Sequence, residues 1–173
     1  MTFKVSRSGN PSFTGIHPLL ADILRCAVED PWERCPEGSL RLLPSPGSDE
    51  ELCGDWEDHV KPGLRLQFET SRDVVAGDLR KLRQSQSKNA SWSLEIPKDH
   101  RDEWLATLNA IRLALAAEHG FDEGELSRDG IPDLSTERGI ALMRVNFYAF
   151  VQECLIRSMD DGDPVSGKSD QAD

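Results

Sequence analysis

The most regular stretch of the chain, WLATLNAIRLALAAEHG over residues 104–120, repeats its apolar positions Trp104, Leu105, Leu108, Ile111 and Leu115 at a spacing of three and four. That period gathers them on one side of a helix, with Leu113 and several alanines alongside, and so predicts a helix at the centre of the fold. Asp99, Asp102 and Glu103 near its start suit the helix dipole, and Gly120 after His119 suits a left-handed closing residue. The same period elsewhere predicts three more helices. Leu19, Leu20, Ile23, Leu24 and Ala27 or Val28 mark one that opens at Pro18, a residue tolerated at the first helical position. Leu64, Phe68, Val75, Leu79 and Leu82 mark one from Leu64 to about Gln84, and Ile140, Met143, Phe147, Phe150 or Val151, and Cys154 mark one from about Ser135 to Met159. Ser48-Asp49-Glu50-Glu51 has capping-box spacing and predicts an acidic helix over 49–59, ending before Lys61-Pro62-Gly63.

Strict alternation appears twice, in FKVSR at 3–7 and SWSLEI at 91–96. Paired, the two would form a two-stranded β-ribbon, stable only when packed on helices. SGNPSFTG between the first strand and Pro18 reads as turn; residues 31–47, with four of the ten prolines, read as a surface connection carrying Leu40, Leu42 and Leu43; and 120–134 reads as an acidic loop. The expected fold is therefore mainly α, about five helices in one bundle over 1–159 with a minor ribbon. Residues 160–173 are expected to be an acidic, disordered tail.

Charge narrows the expected partners. The net charge is −11, and residues 48–60 hold six acidic side chains and no lysine or arginine. Such a surface repels phosphate backbones and anionic head groups, so neither nucleic acid nor membrane is expected as a partner. Arg80, Lys81, Arg83 and Lys88 form a local basic exception, read as a helix end complementing its own dipole. No signal-like apolar region opens the chain and no run approaches the roughly 20 apolar residues of a span, which predicts a cytoplasmic protein.

Candidate chemistry is sparse. Cys26, Cys35, Cys53 and Cys154 are far apart and without histidines at ligand spacing, so free thiols are expected, with neither metal nor disulfide. Glu118, His119, Asp122 and Glu123 gather at the end of the central helix with the residue types of a metal or acid/base site, but Glu118 and Asp122 would be neighbours only if the helix ran on through Gly120, so neither is assigned. No G-x-S-x-G, phosphate-binding loop or dinucleotide fingerprint occurs, so no catalytic residue and no cofactor is assigned, and an enzyme is not the favoured expectation. Asn109 and Arg112 raise the sharper question. They lie one helical turn apart beside Leu108, Ile111 and Leu115, and a guanidinium drawn into a core must be paired. Asp73, four residues before a Gly77 that would permit a close helix crossing, is the expected carboxylate; an anion pocket around Arg112 is the alternative.

The stretch W-L-x-x-L-N-x-x-R-L-x-L over 104–115 resembles the signature of a small bacterial family known as domain of unknown function 2017. Phe150-Val151-Gln152-Glu153-Cys154-Leu155 is similar to that family's aromatic or glycine followed by Leu-Gln-Glu-x-Leu, and Asp73-Val74-Val75-Ala76-Gly77 to a D-L-x-A-G stretch, a likeness covering about residues 60–158. The resemblance implies an all-helical cytoplasmic protein without an established activity, whose genes often neighbour the substrate adaptor of the Clp protease. It also implies that Trp104, Asn109, Arg112, Gln152 and Glu153 stand at shared positions, with Asp73 or Glu153 as acceptors for the central polar residues. The functional expectation is a protein-interaction or regulatory module linked to regulated proteolysis, with a protein partner or a second copy of the chain. The alternative is a small-molecule-binding protein or enzyme built on Arg112 and Asn109.

Overall fold

A computed structural model describes residues 1–29, 43, 46–84, 91–126, 130 and 132–160. The chain opens with β1 (Thr2–Val5) and β2 (Pro11–Ile16), then helix α1 (Pro18–Arg25) and a 3-10 turn at Cys26–Val28. A long helical segment follows as α2 (Glu50–Asp55), a π turn (Trp56–Val60) and α3 (Lys61–Leu79). The short β3 (Arg83–Gln84) and β4 (Trp92–Glu95) lead through a 3-10 turn to α4 (Arg101–Glu118), the single-turn α5 (Glu123–Leu126) and the final α6 (Glu137–Asp160). The fold is mainly α, with α4 packed between α3 and α6 and a small antiparallel sheet at one end. The expected tail lies outside the described residues apart from Asp160 at the end of α6, as do most of residues 31–47. Of the three leucines placed in that connection, Leu43 is described and buried.

The sheet corrects the expected ribbon. Residues 3–7 and 91–96 do not pair with each other; β2 lies between them, and the strand order is β1-β2-β4-β3. Turn-like composition hid β2: its Pro11 stands at the first strand position, where a missing N–H is tolerated, and its Gly15 at φ +67° makes a bulge. Strict alternation would point Phe13 and Ile16 to opposite faces, but the register shift between them lets both enter the core.

Two helix boundaries also differ. Asp49, rather than Ser48, caps α2, its carboxylate accepting from the N–H of Glu51 and Leu52 at 3.0 and 3.1 Å. The acidic helix does not end before Pro62. In the π turn the N–H of Lys61 reaches back five residues to Trp56, and Pro62, which has no N–H to donate, follows where the α ladder restarts. Gly77 makes no close helix crossing, since an added Cβ would meet only the Arg80 side chain, at 3.5 Å.

Other expectations hold. Pro18 opens α1 with His17 as its cap, and the C-terminus of α4 closes through Gly120 at φ +61°, with Phe121 N–H bonded to the Ala116 carbonyl and Gly120 N–H to Ala117. Because α4 stops there, Asp122 and Glu125 cap α5 reciprocally, and the Arg138 guanidinium grips Glu125 with two bonds of 2.7 Å and lies over the Phe121 ring. Cys26, Cys53 and Cys154 are thiols outside any disulfide, the last in the core; Cys35 lies outside the described residues. By length and composition α6 could cross a bilayer over Glu137–Met159, contrary to the reading of the sequence, but half of that window is buried within the protein.

Candidate functional site: a buried carboxylate and an acidic groove

Among the described residues Asp78 and Arg144 are charged and buried, and Arg112 is less enclosed than either. Its guanidinium is half-buried and donates to Gln152 Oε1 at 2.5 Å, while Gln152 Nε2 donates to the Leu105 carbonyl at 3.1 Å. The acceptor is thus a neutral amide on α6, not Asp73 or Glu153. Asp73 is exposed on α3, and Glu153 is exposed and paired with Arg157, one turn on. Asn109 is exposed as well, because it lies across α4 from the buried Leu108, Ile111 and Leu115. Burial pulls the Arg112 pKa down, and its Nε is buried with no hydrogen-bond partner.

The enclosed anion is Asp78, on α3. Its side chain is 1% exposed and accepts from Lys81 Nζ at 2.8 Å, His100 Nδ1 at 2.8 Å and the indole N–H of Trp104 at 3.1 Å. Burial alone would raise the Asp78 pKa; the three donors more than reverse that and hold the carboxyl below its ordinary value. An ionised carboxylate only accepts, so His100 carries its proton on Nδ1. The sequence did carry a signal for this centre. Asp78 falls three residues after Val75 and four before Leu82, so a carboxylate interrupts the apolar stripe of α3.

The enclosed cation is Arg144, on α6. It bonds Glu29 Oε2 at 2.9 Å, and the neighbouring Tyr148 donates its hydroxyl to the Ile23 carbonyl at 2.7 Å, so the pair ties α6 to α1 and the turn after it. Burial pushes the Tyr148 hydroxyl up to about 12. Burial would lower the Arg144 pKa, but the oxygens of Tyr148 and Glu29 hold it above its ordinary value.

The surface between α3 and α4 is where an incoming group could find unmet chemistry. An open groove of about 450 Å³ runs between Leu66 and Thr70 on one side and Asp102, Glu103 and Ala106 on the other. Leu66 is 63% exposed, and Glu103 has a carboxylate oxygen buried with no hydrogen-bond partner among the described residues. From this groove the helix extends back through the π turn to α2; neither buries a residue, and Leu52 of α2 and Val60 of the π turn are exposed.

The family model described as Domain of unknown function (DUF2017) matches residues 20–159. The chain belongs to DUF2017. No curated protein and no solved structure matches it. The matched span takes in most of α1 through nearly all of α6, so the Asp78 centre, the Arg112–Gln152 pair and the acidic groove all lie within the DUF2017 region, while β1, β2 and the first two residues of α1 precede it. Within that span the motif's Trp104 has a structural role, because its indole N–H closes the ring of donors around Asp78.

Proposed function

We propose that this DUF2017 protein is a protein-interaction module whose docking element is the groove between α3 and α4 together with the acidic arm of α2. The groove carries the reading: an exposed Leu66 faces a wall formed by Asp102 and Glu103, and one Glu103 oxygen is shut away from water without a donor among the described residues. A buried carboxylate oxygen left unpaired costs about 1–3 kcal/mol, a penalty that a cation from a partner would remove. The arm adds six acidic residues over 48–60, with Leu52 and Val60 exposed among them. The matching partner is a basic, amphipathic segment that lays apolar side chains along Leu66 and points lysines or arginines at Glu103 and the arm.

The link to regulated proteolysis implied by the family resemblance says where to look first for that partner. A second copy of the chain would have to use another face, and Ile140, Phe150 and Ile156, exposed on α6, supply the apolar surface for it; static light scattering reads that directly. An anion pocket around Arg112 and Asn109 has less support, because Asn109 is exposed and Arg112 is turned toward Gln152.

Affinity capture from cells of the source organism tests the docking reading, with wild type beside Leu66→Lys and Glu103→Lys variants whose circular dichroism is unchanged. We expect wild type to retain a basic partner that salt displaces and both variants to lose it. Capture of nothing, or equal capture by all three, refutes the reading.

A further inference from the structure

The sheet offers a second feature, on the side away from the helices. Phe13 and Leu94 point inward and are buried, so their strand neighbours Ser12, Ser93 and Glu95 face outward. The register sets Ser12 opposite Glu95 on one side and Lys4 on the other, Thr14 opposite Thr2, and Arg83 opposite Ser93. Residues directly opposed in an antiparallel pair share a face at about 5 Å, which makes this outer surface a floor of small hydroxyls with cations at its margins. Over it lies an open groove of about 410 Å³, bounded by Lys81 and Arg83 at one side and by Asn10 and Glu95 at the other. That volume falls in the range of small-molecule sites.

Three properties of the groove point to one ligand class. Its lining holds two cations, Lys81 and Arg83, against the carboxylate of Glu95, and because Asp78 already offsets the Lys81 ammonium from behind, the attraction for an anion rests on Arg83. The Arg83 guanidinium, a planar fork of five donors suited to phosphate, makes no ion pair or hydrogen bond among the described residues. Neither the hydroxyl floor nor the rest of the lining includes an aromatic ring on which a nucleobase could stack.

Lys81, Asn10 and Glu95 are also held in place beforehand. Asp78 anchors Lys81 Nζ at 2.8 Å, Asn10 donates to Glu95 Oε1 at 2.8 Å, and Asn10 Oδ1 accepts from the Lys98 N–H at 3.0 Å. Groups fixed in advance lose little freedom on binding. This also gives the buried Asp78 centre a consequence at the surface, since the carboxylate sets where the Lys81 ammonium stands.

We propose that this groove binds a small phosphorylated polyol, such as a sugar phosphate. Arg83 and Lys81 take the phosphate, and Ser12, Thr14, Ser93 and Glu95 hydrogen-bond the hydroxyls of the sugar. The site lies on the outer face of the sheet, apart from the α3–α4 groove, and stands independently of the docking reading.

Isothermal titration calorimetry on the full chain tests it with ribose 5-phosphate, inorganic phosphate, ribose and a short single-stranded oligouridine. Ribose 5-phosphate is expected to bind saturably, with inorganic phosphate and ribose each at least about tenfold weaker, and added salt should weaken binding. Arg83→Glu should cost at least about tenfold in affinity for ribose 5-phosphate, whereas Arg157→Ala on α6 should change nothing. Arg83 is exposed on an edge strand, and Arg83→Ala provides the same test should the charge reversal disturb folding. Ser12→Val should weaken ribose 5-phosphate and leave inorganic phosphate unchanged. The proposal is overturned by absence of binding at millimolar ribose 5-phosphate, by affinity that ignores Arg83, by equal affinity for inorganic phosphate, or by Arg83-dependent binding of the oligouridine in place of the sugar phosphate.

Discussion

Asp78 and Arg112 sit on two helices that pack together, α3 and α4, and both carry a charge toward the bundle, yet the fold treats them differently. Asp78 is closed off and given three donors, two of them from α4 and the turn before it. Arg112 is only half-buried, with one neutral acceptor and an unmatched Nε. The difference follows from reach. A carboxylate on a short side chain must stay where its Cβ points, so an Asp on the core stripe of α3 can keep its charge only if partners come to it. A guanidinium on a long stem can lay its methylenes on apolar surface and keep its head near water. The short charged side chain on an apolar stripe therefore marks the polar centre of such a bundle better than the long one does.

The contrast can be broken by substitution. Asp78→Ala should have the largest effect, about 3–5 kcal/mol of lost stability by urea denaturation, because it strands the indole N–H of Trp104 and frees Lys81 and His100. A loss below about 1 kcal/mol would mean that the donors find other partners and that Asp78 is not the polar centre of the bundle.

Acid provides the next test. In the folded state the donors hold the Asp78 pKa below its ordinary value of 3.8, so its contribution is fully present above that value and disappears as pH falls through the lower folded value. The stability difference between wild type and Asp78→Asn should therefore stay level from pH 7 down to about 4 and shrink below it, as read by urea denaturation across that range. A difference that grew in acid would mean that burial outweighs the donors at this carboxyl.

The smallest effects belong to the pair singled out in the sequence. Arg112→Leu should cost no more than about 1 kcal/mol, since its single acceptor is neutral and Gln152 can turn its amide toward water. Asp73→Ala should stay within about 0.5 kcal/mol, as an exposed residue of α3. A thermal-melt shift for Asp73→Ala matching that of Asp78→Ala would restore the bridge that the geometry removes.

Much of the scaffold was legible along the chain because helix period, caps and breakers are local. The stripe Trp104, Leu108, Ile111 and Leu115 is buried as its spacing demands, Pro18 opens α1, and Gly120 closes α4 through a pair of backbone bonds. Reading failed where a signal depended on context. Pro11 and Gly15 look like turn residues, yet one is tolerated at a strand start and the other is needed for a bulge inside the sheet. Pro62 looks like a stop, yet a π turn carries the helix past it. For the polar residues the failure was of another kind: helical spacing said that Asn109 and Arg112 are near neighbours, but only the depth of α4 between α3 and α6 decides which side chain is covered.

What the sequence determined by itself is therefore the main helices, though not the short α5 or the join at Pro62, together with the family and the acidic character of the arm at 48–60, each fixed by residues a few positions apart or by simple counting. Tertiary structure alone decided which charges are enclosed, that Asp78 meets His100 and Trp104, that Arg144 meets Glu29, and that Arg83 and Ser93 share one face of the sheet with Ser12. Those pairings join residues far apart along the chain, 22 positions for Asp78 and His100 and 115 for Glu29 and Arg144. Their free energy depends on burial and on the distance between partners, neither of which exists until the chain has packed.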